Sequence, residues 1–286
     1  MLRTTTPVHA LIACLTAVLL AVAAPAAWAQ TPSPLQEWQY ESGVVLANLF
    51  EPNLPKWRVI AGPSAQLQPL YDGARSYHLE AGPLIDVRYR NIFFVSVGEG
   101  LGVDLLRGTH FRAGASLGYD LGRSVSEDST HLRGLGDIAP APVAKLYSSV
   151  VLARKFPAVL RVDVRQFIGG ADGMVGDLQA YMPLPGSSRT FVMFAGPAIT
   201  FANHRYLQKE FGVTAAQAAA SGYPSFDARA GQNAEGVGFS ATWFVTPTWL
   251  INVEGALNRL LGSAGDSPII ERRTQRVVTL AVGYMW

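Results

Sequence analysis

From Tyr77 to Tyr89 the chain alternates with a period of two. Tyr77, Leu79, Ala81, Pro83, Ile85, Val87 and Tyr89 share one parity, while His78, Glu80, Gly82, Leu84, Asp86 and Arg88 share the other. Period two is the side-chain repeat of a β-strand, so this segment has an apolar face and a face that carries its charges. Twelve steps of about 3.3 Å at a tilt of about 40° rise roughly 30 Å, enough to set the two tyrosines on either side of an apolar band about 25 Å tall. The alternation recurs at 111–121, with Arg112 and Asp120 on one face, and at 158–165, with Arg161, Asp163 and Arg165 on one face. It predicts further strands at 57–67, 93–105, 143–152, 175–182, 191–201, 237–245 and 249–257. A final strand from about Gln275 ends at Trp286, with Leu280, Val282, Tyr284 and Trp286 along one face.

These segments predict an all-β fold, a transmembrane antiparallel β-barrel. A bacterial barrel with both ends in the periplasm needs an even number of strands. The eleven segments therefore call for Tyr40–Leu49 as a twelfth, with ten strands the alternative. On this register the charged residues expected to face the lumen are Arg58, Glu80, Asp86, Arg88, Arg112, Asp120, Lys145, Arg161, Asp163, Arg165, Asp177 and Glu254. Asp120, Asp163 and Asp177 read as ion-pair partners of Arg112, Arg161 and Arg165. Glu99 breaks the rule by falling on the apolar parity of Phe93, Val95 and Val97. Its place between Gly98 and Gly100 predicts a bulge that turns it inward.

The connections give an orientation. With Trp286 in the periplasm, the turn at Thr246–Thr248 is periplasmic, whereas the loops 203–235 and 262–274 are extracellular, which is the usual disposition of long and short connections. Within the longest loop, Thr214 before Ala215–Ser221 and Gly222 after it read as an N-cap, a short helix and a glycine stop, a lid or plug.

Composition agrees with a membrane barrel. Charged residues are 15% of the chain, below the roughly 25% of soluble domains, and beyond residue 29 no apolar run reaches the 18 residues of a membrane helix. Residues 1–29, with Arg3, an apolar run from Leu11 to Ala24 and Ala27-Trp28-Ala29, read as a secretory signal peptide, followed by an N-terminal segment at 30–56 and the barrel at 57–286. The one cysteine, Cys14, lies in the signal, so the exported chain has no thiol. A formal charge of +2 gives no reason to expect nucleic acid as a partner.

Several blocks carry a resemblance. Tyr206–Thr214 with Gln217, Ser221 and Gly222, together with Leu70–Gly73, Leu84–Tyr89 with Phe93 and Phe94, Leu132–Ile138 and Arg259–Ile269, resemble in order the MipA/OmpV family of outer-membrane proteins. The resemblance covers roughly Trp57 to Trp286 and leaves the proline-bearing segment before it aside. It implies an outer-membrane barrel without enzymatic activity or cofactor, and a scaffold joining a lytic transglycosylase to a class A penicillin-binding protein. Such partners are periplasmic, so their contacts would come from the short turns, the rim or residues 30–56. Outer-membrane lipid and the outer-membrane assembly machinery are the other expected partners, with Leu280, Val282, Tyr284 and Trp286 as the assembly signal.

Two other functions have weaker support in the residues. An acyl-chain enzyme would need a nucleophile beside a histidine, but there is no G-x-S-x-G and no histidine pair at metal-ligand spacing among His78, His110, His131 and His204. A narrow solute channel would need an open lumen. Mixed inward charges together with Tyr147, Phe194 and Phe244 predict a filled one.

Overall fold

The computed structural model describes residues 55–108, 110–152 and 158–286. The expected signal peptide and Tyr40–Leu49 lie outside them. Twelve strands close into one antiparallel barrel in which every strand lies beside its sequence neighbours and the first seals against the last. They are β1 (Trp57–Pro69), β2 (Tyr77–Tyr89), β3 (Phe93–Ser96), β4 (Gly100–Arg107), β5 (Phe111–Asp120), β6 (Ala141–Val151), β7 (Val159–Phe167), β8 (Met174–Pro183), β9 (Phe191–Ala202), β10 (Gly231–Phe244), β11 (Trp249–Leu260) and β12 (Thr274–Met285). Closure is what membrane-spanning strands require, because it leaves backbone groups paired where no water can satisfy them. No helix among the described residues is long and apolar enough to cross a membrane.

The number twelve agrees with the sequence, but its origin does not. The segment read as one strand over 93–105 is a hairpin, β3 paired with β4 through Phe93↔Val103 and Ser96↔Gly100, and the barrel closes through β1 and β12 without residues 40–49. Gly100 explains the reversal. It sits at φ +78°, and a Cβ there would come within 2.4 Å of the Leu117 carbonyl oxygen, so only glycine fits. The pattern concealed the turn because Val95 and Leu101 stand an even number of residues apart. The apolar parity therefore carries through the reversal, and both side chains are exposed on the outer wall. Glu99 belongs to this turn rather than to a strand bulge, and it is buried on the lumen side.

The two ends of the barrel differ. The strand ends joined by the β2–β3, β4–β5, β6–β7, β8–β9 and β10–β11 connections lie at one end of the barrel, and the described connections 70–76, 121–140, 168–173, 203–230 and 261–273 at the other. Trp57, Phe93, Phe111, Phe191, Trp243, Trp249 and Trp286 stand exposed at the short-turn end. There Trp57 packs on Tyr89, and Tyr284 packs between Trp249 and Trp286, with ring centroids 4.5–5.1 Å apart. Amphipathic rings in such a belt mark a membrane interface. By the rule for outer-membrane barrels, the short-turn end is periplasmic and the long-loop end extracellular.

Candidate functional site

Arg58, Asp86, Arg88, Arg112, Asp120, Lys145, Arg161, Asp163, Arg165, Asp177 and Glu254 are all buried inside the barrel wall, while Glu80 is half-buried. They are joined in ladders that run around the lumen. Arg58 lies 3.9 Å from Asp86, Arg88 bridges Asp86 and Glu99, and Arg112 bridges Glu99 and Asp104. Tyr147 donates its hydroxyl to the same Asp104. A second ladder links Arg161 to Asp163, Asp163 to Arg165 and Arg165 to Asp177, which also accepts from the Thr200 hydroxyl at 2.6 Å. The expected pairings of Arg161 and Arg165 with Asp163 and Asp177 agree with these contacts. The partners of Arg112 are instead Glu99 and Asp104, because the β3–β4 hairpin puts both acids beside it.

The arginines also stack on rings. Arg88 and Arg112 lie over Phe94 at 5.0 and 5.4 Å, and Arg112 and Arg161 over Tyr147 at 4.8 and 4.9 Å. Beside them, inward apolar side chains form two clusters. Ile60 and Leu250 pack with Leu84, Phe244 and Met285, and Val159, Tyr181 and Phe194 pack with Val151 and Val192. Guanidinium planes, rings and aliphatic groups together fill much of the lumen at the short-turn end. Phe94 and Asp104 are not in the expected inward set, although both fall on the inward parity of 93–105.

At the other end the long loops fold into a lid with its own core. Within 203–230, helix α1 (His204–Phe211) starts at Asn203, whose side chain accepts from the Tyr206 amide, and it buries Leu207 and Phe211 on one face. Helix α2 (Ala215–Ser221) follows as the sequence predicts. Thr214 and Gln217 form a reciprocal capping box, and Gly222 ends the helix at φ +83°. The loop 261–273 adds the short turn of helix α3 (Gly262–Asp266). Helix α1 was not anticipated, though Asn203, the Leu207–Phe211 spacing and Gly212 are ordinary cap, face and stop signals.

Leu207 and Phe211 join Ile138, Phe167, Leu260 and Ala264 in one core, and Tyr71, Leu132, Leu135, Val213 and Ile269 form a second beside it. Hydrogen bonds tie the loops across long sequence separations. Gln217 donates to the Leu135 carbonyl at 2.5 Å, Ser267 to the Phe211 carbonyl at 2.5 Å, and the Tyr71 hydroxyl to the Ile269 carbonyl at 3.2 Å. Four of the five blocks that carry the family resemblance, Leu70–Gly73, Leu132–Ile138, Tyr206–Thr214 and Arg259–Ile269, therefore meet in the lid.

Titratable groups are gathered within the lid. Burial pushes the Glu210 carboxyl up to about 8; Arg123 opposes the shift, and Asp120 and Asp72 add to it. Arg123 donates to the Glu210 carbonyl oxygen at 2.7 Å and stands 3.8 Å from its carboxylate. His131 holds Asp128 through Nδ1 at 2.8 Å and lies 3.4 Å from Glu271 through Nε2. Asp128, His131 and Glu271 form a group of metal-ligand type with atoms within 4.8 Å of one another. Each ring nitrogen already faces a carboxylate, which is the geometry of a hydrogen-bonded bridge. Burial raises Asp128, but hydrogen bonds from the His131 backbone and side chain outweigh it and leave that carboxyl below its usual value. His78 contacts Glu80 and Gln68, and His204 Nδ1 contacts the Ala228 carbonyl, so the described contacts of these histidines include no serine.

A closed twelve-stranded antiparallel wall, an aromatic belt, a charge-filled lumen and long loops at one end define an outer-membrane β-barrel. Over residues 61–286 the chain matches the family described as "MltA-interacting protein MipA", and it belongs to that family. No curated protein matches the sequence. Among solved structures it is similar to the NanC porin, at 8% identity over 80% of this chain and 98% of that one with a TM-score of 0.37. It is also similar to an outer-membrane channel from Pseudomonas putida F1, at 8% identity over 82% and 97% with a TM-score of 0.38. Likeness at this level says nothing about what this barrel passes or binds.

Proposed function

We propose that this barrel is a non-enzymatic scaffold of the cell envelope that presents its periplasmic rim to murein-processing proteins, one that cuts murein and one that makes it. The observation that carries the reading is the charge of that rim. Lys56, Arg90, Arg107 and Arg189 are all exposed there. The described residues of connections 90–92, 108–110, 184–190 and 245–248 contain no carboxylate, and Arg154 and Lys155 add to the basic set in the sequence of 152–158. The single sign of charge among the described residues of these turns favours an acidic partner surface and fixes its orientation. The family's name records an interaction with MltA, and a filled lumen favours a scaffold over a conduit. On this reading residues 1–29 are removed on export, residues 30–56 extend the periplasmic surface, and Leu280, Val282, Tyr284 and Trp286 on β12 are what the assembly machinery reads.

Photo-crosslinking in intact cells tests it. A crosslinker at Arg189 should capture a murein hydrolase or synthase, while one at Ser225 in the outer loop should not. Reversing Arg90, Arg107 and Arg189 to glutamate should cut the capture at least tenfold. Recovery of only lipids or other outer-membrane barrels at Arg189 would contradict the scaffold role. A narrow solute channel is the competing reading, which steady conductance would favour.

A further inference from the structure

A groove runs along the outer wall where β10, β11 and β12 lie side by side. Strand register places Phe239, Gly255 and Val278 in one outward row, and Val237, Leu257 and Arg276 in the next row toward the long loops. The space among them is about 410 Å³, room for roughly a dozen water-sized groups at ~30 Å³ each. A single fatty-acyl chain is a string of about that many small groups. Apart from Arg276, the side chains around the groove are apolar or absent.

Gly255 makes the gap. Unlike Gly100, it has an ordinary strand backbone, and a Cβ there would meet nothing closer than the Val277 carbonyl oxygen at 3.8 Å. The fold therefore does not need glycine at this position. A glycine inside a strand weakens it and often marks a place where a ligand approaches closely, and here the missing side chain leaves a hollow between Phe239 and Val278.

The end of the groove nearest the long loops is charged. Arg276 stands ten residues before Trp286, a rise of about 25 Å at about 3.3 Å per residue and a tilt of about 40°, which sets it at the outer edge of the apolar band. Its amide donates to the Tyr77 hydroxyl at 3.0 Å, so an interfacial aromatic stands at the same level. Arg259 on β11 is its diagonal neighbour, since Leu257 pairs with Arg276 and Arg259 with Thr274, and such diagonal positions lie roughly 7 Å apart. Both arginines are exposed. Among the described residues neither guanidinium has an ion-pair partner, although Glu235 lies opposite Arg259 on β10. A cation on the lipid-facing wall is tolerated at the interface, and a guanidinium there suits phosphate, which it can hold through two parallel hydrogen bonds.

We propose that this groove holds one acyl chain of a phosphate-bearing lipid of the outer leaflet, the lipid A part of lipopolysaccharide, with its phosphate on Arg276 and Arg259. Each half of the site rejects a different competitor. The apolar floor offers nothing to a free phosphate ion, and the two arginines favour an anionic head over a zwitterionic one. The inference is independent of the scaffold reading, whose contacts lie on the opposite rim.

Native mass spectrometry of the purified protein in neutral detergent, titrated with bisphosphorylated lipid A, tests it. The expected result is one lipid retained per barrel, at least tenfold more tightly than either lipid A stripped of its phosphates or phosphatidylcholine, and not displaced by a tenfold excess of inorganic phosphate. Arg276→Gln, which removes the charge, should weaken retention at least tenfold. Gly255→Leu, which fills the groove from a position where the backbone accepts a side chain, should do the same. Equal retention of the dephosphorylated lipid, displacement by inorganic phosphate, or unchanged retention in either variant would each overturn the proposal. The lipid series on the unmodified protein decides the matter even if a variant does not fold.

Discussion

Glu99, on the turn between β3 and β4, ion-pairs with Arg88 of β2 inside the barrel, both side chains almost wholly buried. The pair joins the hairpin to the neighbouring strand by charge where backbone pairing is short. Glu99 also lies 3.6 Å from Arg112, so its loss deprives two buried cations of a partner. Breaking a buried pair from one side costs about 3–5 kcal/mol. Glu99→Ala should lower the unfolding midpoint of the detergent-solubilised barrel accordingly, as read by the loss of the compact form on unheated gels across a urea series. The double variant Glu99→Ala with Arg88→Met should recover part of that loss, because it removes the stranded charge along with its partner.

The lid should open without the barrel. Phe211 is buried between helix α1 and the outer ends of the strands, and Ser267 bonds its carbonyl. Phe211→Ala leaves a cavity worth about 3–5 kcal/mol in a packed core. Cleavage by an added protease within 203–230 should become much faster, while the compact barrel band and its urea midpoint change little.

The lid should also weaken in base. Glu210 takes up its proton in the folded lid at about pH 8, against 4.5 for the free side chain, and burial is the chief cause. A carboxyl raised on folding contributes fully below its unfolded value, and that contribution is lost as pH rises toward the folded value. Hydrogen exchange at 203–230 should therefore be slower at pH 5.5 than at 8.5 after correction for the intrinsic rate. Glu210→Gln should flatten the difference.

Much of this was legible in the sequence, and the exceptions share a cause. Period two located the strands and faced Arg88, Arg161 and Asp163 inward, because a membrane barrel punishes a charge on its lipid face. The same rule concealed the β3–β4 hairpin, since a turn that preserves parity is invisible to a pattern of alternation. Asp104 and Phe94 share the inward parity of that segment, but their contacts with Arg112 and Arg88 leave no trace in a pattern of alternation. In the lid, the cap of α2 was readable from Thr214, Gln217 and Gly222 alone. The joining of Gln217 to Leu135 and of Tyr71 to Ile269 was not, because tertiary contacts between loops leave no local period.

The lumen is filled at one end and lidded at the other. Reconstitution of the purified protein in a planar bilayer measures this. The expected result is insertion without steady ion current at moderate voltage, with bursts at most when the lid loosens. A steady, reproducible single-channel current from the intact protein would contradict the filled barrel and favour a solute channel over a scaffold.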